Sequence, residues 1–104
     1  MTKDLRIHRL AENEITAAAS WYEAKQDGLG ISLLDLVDNI VDRICSGNLP
    51  SSPAPGVATN LGARRVLLRR FPYSIVFYER PKEIAIVAFA HSSRRPGYWR
   101  SRGL

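Results

Sequence analysis

Residues 73–91 read YSIVFYERPKEIAIVAFAH, and this stretch decides the fold. YSIVFYE at 73–79 and EIAIVAFAH at 83–91 are rich in β-branched and aromatic residues, and between them Arg80-Pro81-Lys82 puts proline where a tight turn favours it. The pair predicts a β-hairpin. EIAIVAFAH is apolar on both faces and has no internal proline or glycine, the pattern of a strand in the middle of a sheet. Just upstream, Arg64 to Arg70 encloses Val66, Leu67 and Leu68 and predicts a third strand before the hairpin.

Further toward the N-terminus the punctuation changes. From Ser46 to Ala63 the chain holds Pro50, Pro53 and Pro55 with Gly47, Gly56 and Gly62, which predicts a long loop. Before it, Leu29, Leu33, Leu34, Val37, Ile40, Val41 and Ile44 recur at helical spacing up to Gly47, with Asp35, Asp38, Asn39 and Asp42 on the wet side. Ile15, Ala18, Ala19 and Tyr22 mark an earlier helix over 11–26, with Glu12 and Glu14 near its start where the helix dipole favours acids. Asp27-Gly28 separates the two, so they predict a helical hairpin laid on a sheet. DLRIHR at 4–9 alternates as a short first strand. The fold class is therefore α+β in the order β-α-α-β-β-β, a helical hairpin on one face of a mainly antiparallel four-stranded sheet. Its 104 residues read as one domain, with 92–104 a basic C-terminal tail too polar for the core.

Charge divides along the chain. Residues 1–63 hold five basic and eight acidic groups, a net −3, whereas residues 64–104 hold ten basic groups and two acidic ones, a net +8. Nine of those ten are arginine, whose planar fork suits phosphates and carboxylates, so the C-terminal half points to an anionic partner. Several classes drop out. No apolar run is long enough to cross a bilayer and the first ten residues lack a signal-peptide core, which implies the cytoplasm. Cys45 is the single cysteine, and His8 and His91 are the only histidines, with no metal-ligating spacing. Gly28-Leu29-Gly30 lies between helices rather than after a strand and reads as a connection, not a phosphate loop; no cofactor is expected.

Three stretches go further: WYEAKQDGLGISLLDLVDNIVDRI at 21–44, FPYSIVFYE at 71–79, and AIVAFAHSSRRPGYWRSR at 85–102. Together, in this order, the chain resembles the RelE/ParE superfamily of bacterial toxins from type II toxin–antitoxin modules, in particular its ParE-like, plasmid-stabilisation branch. The resemblance implies a small α+β toxin neutralised by a cognate antitoxin encoded beside it. That antitoxin is expected to have a DNA-binding N-terminal part and an acidic, amphipathic C-terminal part.

Two activities occur in that superfamily. ParE-like members poison DNA gyrase by binding, with no agreed catalytic set. RelE-like members are ribosome-dependent mRNA endoribonucleases, and cutting RNA needs a base, an acid and cationic groups for the pentacoordinate phosphate. Under that second reading His91, Arg65 and Tyr98 are the catalytic candidates. The RelE-like enzymes place an arginine near the start of the strand corresponding to YSIVFYE, where this chain has Tyr73 and Ser74, so the resemblance favours the ParE-like activity. Arg65, Arg69, Arg94, Arg95, Tyr98, Trp99, Arg100 and Arg102 are the candidates for binding target or antitoxin, by phosphate or carboxylate contacts and stacking. The same residue types also have structural uses: His91 can hydrogen-bond backbone at its strand end, and Tyr98 and Trp99 can anchor the tail across the sheet. A relative that keeps antitoxin binding without toxicity is the third reading.

Overall fold

The computed structural model describes residues 2–57 and 62–103. Positions 58–61 of the expected 46–63 loop, and the last residue of the expected tail, lie outside the described residues. Along the chain come β1 (Asp4–Ile7), α1 (Arg9–Lys25), α2 (Leu29–Ser46), β2 (Ser52–Pro53), β3 (Ala63–Leu67), β4 (Tyr73–Glu79) and β5 (Glu83–His91). The sheet runs β1-β5-β4-β3-β2, with β1 parallel to β5 and every other pair antiparallel. The helical hairpin carries the chain from β1 at one edge of the sheet to β2 at the opposite edge, and the meander β3-β4-β5 then returns to place β5 parallel beside β1. The sheet has five strands rather than the expected four. The addition is the two-residue β2 at the sheet edge, where its proline needs no second partner.

The helices form where the apolar spacing placed them. His8 caps α1, its Nδ1 accepting the Leu10 N–H at 3.0 Å, and Gly47 ends α2 in the left-handed conformation. The Glu23 carboxylate accepts the N–H groups of Gly28 at 2.8 Å and Gly30 at 2.9 Å, so the start of α2 is already occupied by an anion from its own chain. Leu33, Val37, Ile40 and Ile44 of α2 bury against Ile75, Phe77, Ile84, Ile86 and Phe89 of the sheet. Cys45 joins this core as a small hydrophobe, and burial, then the charge of Asp42, push its thiol pKa up.

β5 breaks its own alternation. Val76 pairs with Ala88 but Phe77 pairs with Ile86, leaving Val87 as the extra residue of a bulge. Ile84 and Ile86 face the helices; after the bulge it is Phe89 that does so, while Val87 and Ala88 both face the other way. The bulge therefore turns His91 toward the helix side, edge-on against Tyr73 with ring centres 5.0 Å apart. Strict alternation would have put it on the opposite face.

That opposite face corrects the expectation of a tail outside the core. Trp99 is only 3% exposed and packs with Ala54, Ala63, Val76, Val87 and Ala88 in a second apolar cluster. The tail is polar by composition, but one large aromatic buries enough apolar surface to hold it down. Its path is locked by Gly97 (φ 79°) lying backbone to backbone on Gly56, where a Cβ would stand 2.6 Å from the Gly56 carbonyl oxygen.

Candidate functional site

The tail's second anchor is Glu14 on α1. β1 ends at Ile7, opposite Ile86, so the rest of β5 has no strand on that side. Glu14 and Arg102 take the missing strand's place. The Glu14 carboxylate accepts the Phe89 N–H at 3.0 Å, and Arg102 donates to the Val87 carbonyl at 2.9 Å. Arg102 also grips both carboxylate oxygens of Glu14 at 2.9 Å each, and the Tyr98 hydroxyl donates to the same carboxylate at 2.7 Å. Burial on its own would raise the Glu14 pKa; the bonds from Arg102, Tyr98 and Phe89 together overcome it and hold the carboxyl below its ordinary range. The Tyr98 phenol is pushed well up, first by burial and then by its bond to Glu14.

Beside this clasp, on the tail-covered face, lies a small hollow of about 90 Å³. Arg65 reaches it from β3 and Arg94 and Arg95 from the tail, while His91, turned toward the helix side, borders it at the end of β5; no carboxylate lines it among the described residues. Buried Nε of Arg65 has no hydrogen-bond partner, a donor that stays costly until an acceptor arrives. A hollow of this size and lining suits a small anionic group such as a phosphate or carboxylate. Arg94 is steadied over the Tyr98 ring at 3.9 Å. On the other side of His91 opens a larger cleft of about 580 Å³, lined by Trp21, Tyr22, Tyr73 and Phe89, which shares His91, Arg94 and Tyr98 with the hollow. Tyr73 and Phe89 stack at 4.4 Å, and Trp21 is 57% exposed at the mouth.

The structure thus gathers Arg65, His91, Arg94, Arg95, Tyr98 and Trp99 around one spot, and leaves three of the sequence-derived residues elsewhere. Arg69 stands with Arg43 and Arg70 at a separate groove, Arg100 is exposed on the tail, and Arg102 is committed to Glu14. The Tyr98 proton is held by a carboxylate, and His91 Nδ1 accepts the Ser93 N–H at 3.0 Å, which leaves Nε2 as a donor in the neutral ring. Arg65, His91, Arg94 and Arg95 thus line one hollow together. Sequence reasoning missed Glu14, which it read only as a dipole partner of α1, and missed the Gly56–Gly97 contact. The signal for Glu14 was a lone acid on an otherwise alanine-lined helix face, too short a pattern to point 88 residues downstream.

No family model and no curated protein matches the chain. Among solved structures, the fold is similar to a chain of the structure described as the chromosomal ParDE TA system from P. aeruginosa, with a TM-score of 0.60 and 23% sequence identity over 86% of this chain and 96% of that one. The likeness establishes the RelE/ParE-like α+β fold expected from the three sequence stretches.

Proposed function

We propose that this chain is the ParE-like toxin of a type II toxin–antitoxin module, working in the bacterial cytoplasm, arresting growth by binding DNA gyrase or a related target, and neutralised by a cognate antitoxin. The reading treats residues 1–104 as one functional unit whose segment 92–104 supplies the target-facing arginines. The observation that carries it is the carboxylate-free hollow of Arg65, His91, Arg94 and Arg95, built on a fold shared with a chain of a ParDE structure. Such a hollow holds an anion without transforming it. Its cationic field draws a negatively charged macromolecule quickly and releases it as salt rises. The test is a supercoiling assay: purified protein inhibits gyrase or traps cleaved plasmid, and Arg65→Glu with Arg95→Glu removes the effect while the melting temperature stays near that of the parent.

A second reading keeps a foothold because Arg65, His91 and Tyr98 line the same hollow: a RelE-like ribosome-dependent endoribonuclease. It requires His91 to take a proton and Tyr98 to give one. Primer extension on translated messages after induction separates the two, since only this reading expects new cleavage sites that disappear in His91→Ala.

A further inference from the structure

The cleft of about 580 Å³ between α1 and the sheet has the form of a slot for a flat ring. On the α1 side Ala17 and Ala18 present only methyl groups, which fill little of the space opposite the aromatic rings. Tyr73 and Phe89 make a flat wall, their rings parallel to within 6°, and Trp21, edge-on to Tyr22 with ring centres 5.0 Å apart, stands at the mouth. A cavity of this volume takes a molecule of one or two rings. Its polar groups set the charge it accepts. The Glu14 carboxylate lines the cleft, yet its oxygens are already taken by Arg102, the Tyr98 hydroxyl and the Phe89 N–H. Arg94 lines it too, and enters no ion pair among the described residues. His91 Nδ1 is used by Ser93, so the neutral ring keeps its Nε2–H as a donor. The places a cation would take against these rings are filled: Lys25 Nζ lies 4.8 Å from the Trp21 ring centre and Arg94 lies 3.9 Å over Tyr98.

We propose that this cleft binds a small planar aromatic anion, a flat ring system carrying one carboxylate or phosphate. The ring stacks against the Tyr73 wall with Trp21 beside it, and the anionic group sits at Arg94 and the His91 Nε2–H. Charge selects this ligand over an aromatic ammonium of the same shape, which would meet Lys25 and Arg94 with no free carboxylate to receive it. The inference goes beyond the toxin reading and does not rest on it. The cleft shares His91 and Arg94 with the hollow, but Trp21, Tyr22, Tyr73 and Phe89 belong to the cleft alone.

Four probes titrated into the full chain and followed by NMR test it: indole-3-acetate, tryptamine, which has the same ring with the opposite charge, acetate, which has the anion without the ring, and AMP. Indole-3-acetate is expected to bind about tenfold or more tighter than tryptamine or acetate, and to shift the Trp21 indole and Tyr73 signals while the indole of Trp99, buried on the tail face, stays in place. AMP is expected to bind at the same signals, and whichever of it and indole-3-acetate binds tighter identifies the preferred anionic group. Ala17→Leu, at an exposed helix position, fills the slot and is expected to abolish binding at an unchanged melting temperature. Arg94→Gln is expected to erase the preference over tryptamine. Equal binding of indole-3-acetate and tryptamine, binding of no aromatic probe, shifts centred on Arg65, Arg95 and Trp99, or an affinity untouched by Ala17→Leu overturns the proposal.

Discussion

The two faces of the sheet are closed by different physics. On the helix face, α1 and α2 present apolar stripes at regular spacing, and the core there is continuous from Ala11 to Phe89. On the tail face no helix covers the sheet among the described residues: one tryptophan, a few alanines and two glycines in backbone contact close it, and the tail is fastened by the Glu14 carboxylate. The difference explains what becomes of the arginines. The tail is pinned at Trp99 and Arg102, so the segment between β5 and Trp99 is left to arch over the hollow with Arg94 and Arg95 in no ion pair among the described residues, while Arg102 is neutralised by Glu14. A face closed by a helix would have buried or displaced those guanidinium groups; one closed by a pinned loop presents them.

The largest expected effects ask whether the tail face is a true core. Trp99→Ala is expected to cost about 3–5 kcal/mol, on the scale of the about 2–5 kcal/mol for Leu33→Ala on the helix face, both read by chemical denaturation. A loss under about 1 kcal/mol for Trp99→Ala would reduce the tail to surface decoration.

Next comes the clasp. Glu14→Gln leaves Arg102, whose side chain is 11% exposed, without its charge partner, and is expected to cost about 2–4 kcal/mol while the tail amides lose hydrogen-exchange protection. Unchanged protection at Trp99 would show that the tail is held without Glu14. Gly97→Ala adds a Cβ 2.6 Å from the Gly56 carbonyl oxygen at a positive φ, and is expected to cost about 2 kcal/mol. Glu14→Gln should also be the variant whose damage is not repeated on the helix face, where no ion pair among the described residues secures the packing.

The pH dependence sharpens the same contrast by smaller amounts. The folded Glu14 pKa lies below the ordinary 4.5, so its contribution is complete above that value and is lost as pH falls through the lower folded one. Tyr98 runs the other way: its folded pKa is raised above the ordinary 10, so its contribution is complete below 10 and fades as pH climbs toward the raised value. Stability curves of the parent are therefore expected to fall more steeply than those of Glu14→Gln on the acid side and of Tyr98→Phe on the alkaline side. Parallel curves would separate the two side chains from the fold's pH response.

How much of this was legible in the sequence follows the same division. Periodic elements announced themselves: the stripe from Leu29 to Ile44 gave α2 within two residues of its end at Ser46, and YSIVFYE and EIAIVAFAH gave β4 and β5 with their bounds intact. β2 is two residues long, too short for any alternation, and the bulge at Val87 is invisible because both faces of β5 are apolar and a slip in parity changes no residue type. The tail could be read two ways: its composition, four arginines to one tryptophan, put it outside the core, whereas its amphipathic aromatics read as anchors across the sheet, and it is Trp99 that determines where the segment lies. Of the binding candidates, Arg65, Arg94 and Arg95 came together because they lie on the face the tail covers, whereas the partner of Arg102 could be found only in three dimensions.

The account turns on those unpaired arginines acting as a binding surface with no catalytic step. Inducible expression of the parent, of Arg65→Glu with Arg95→Glu, and of His91→Ala, each verified as folded, tests it most directly. The account predicts that the parent stops growth, that His91→Ala retains at least part of that effect, and that the double charge reversal loses it. Growth arrest that survives the reversal of both arginines but vanishes with His91→Ala would contradict it.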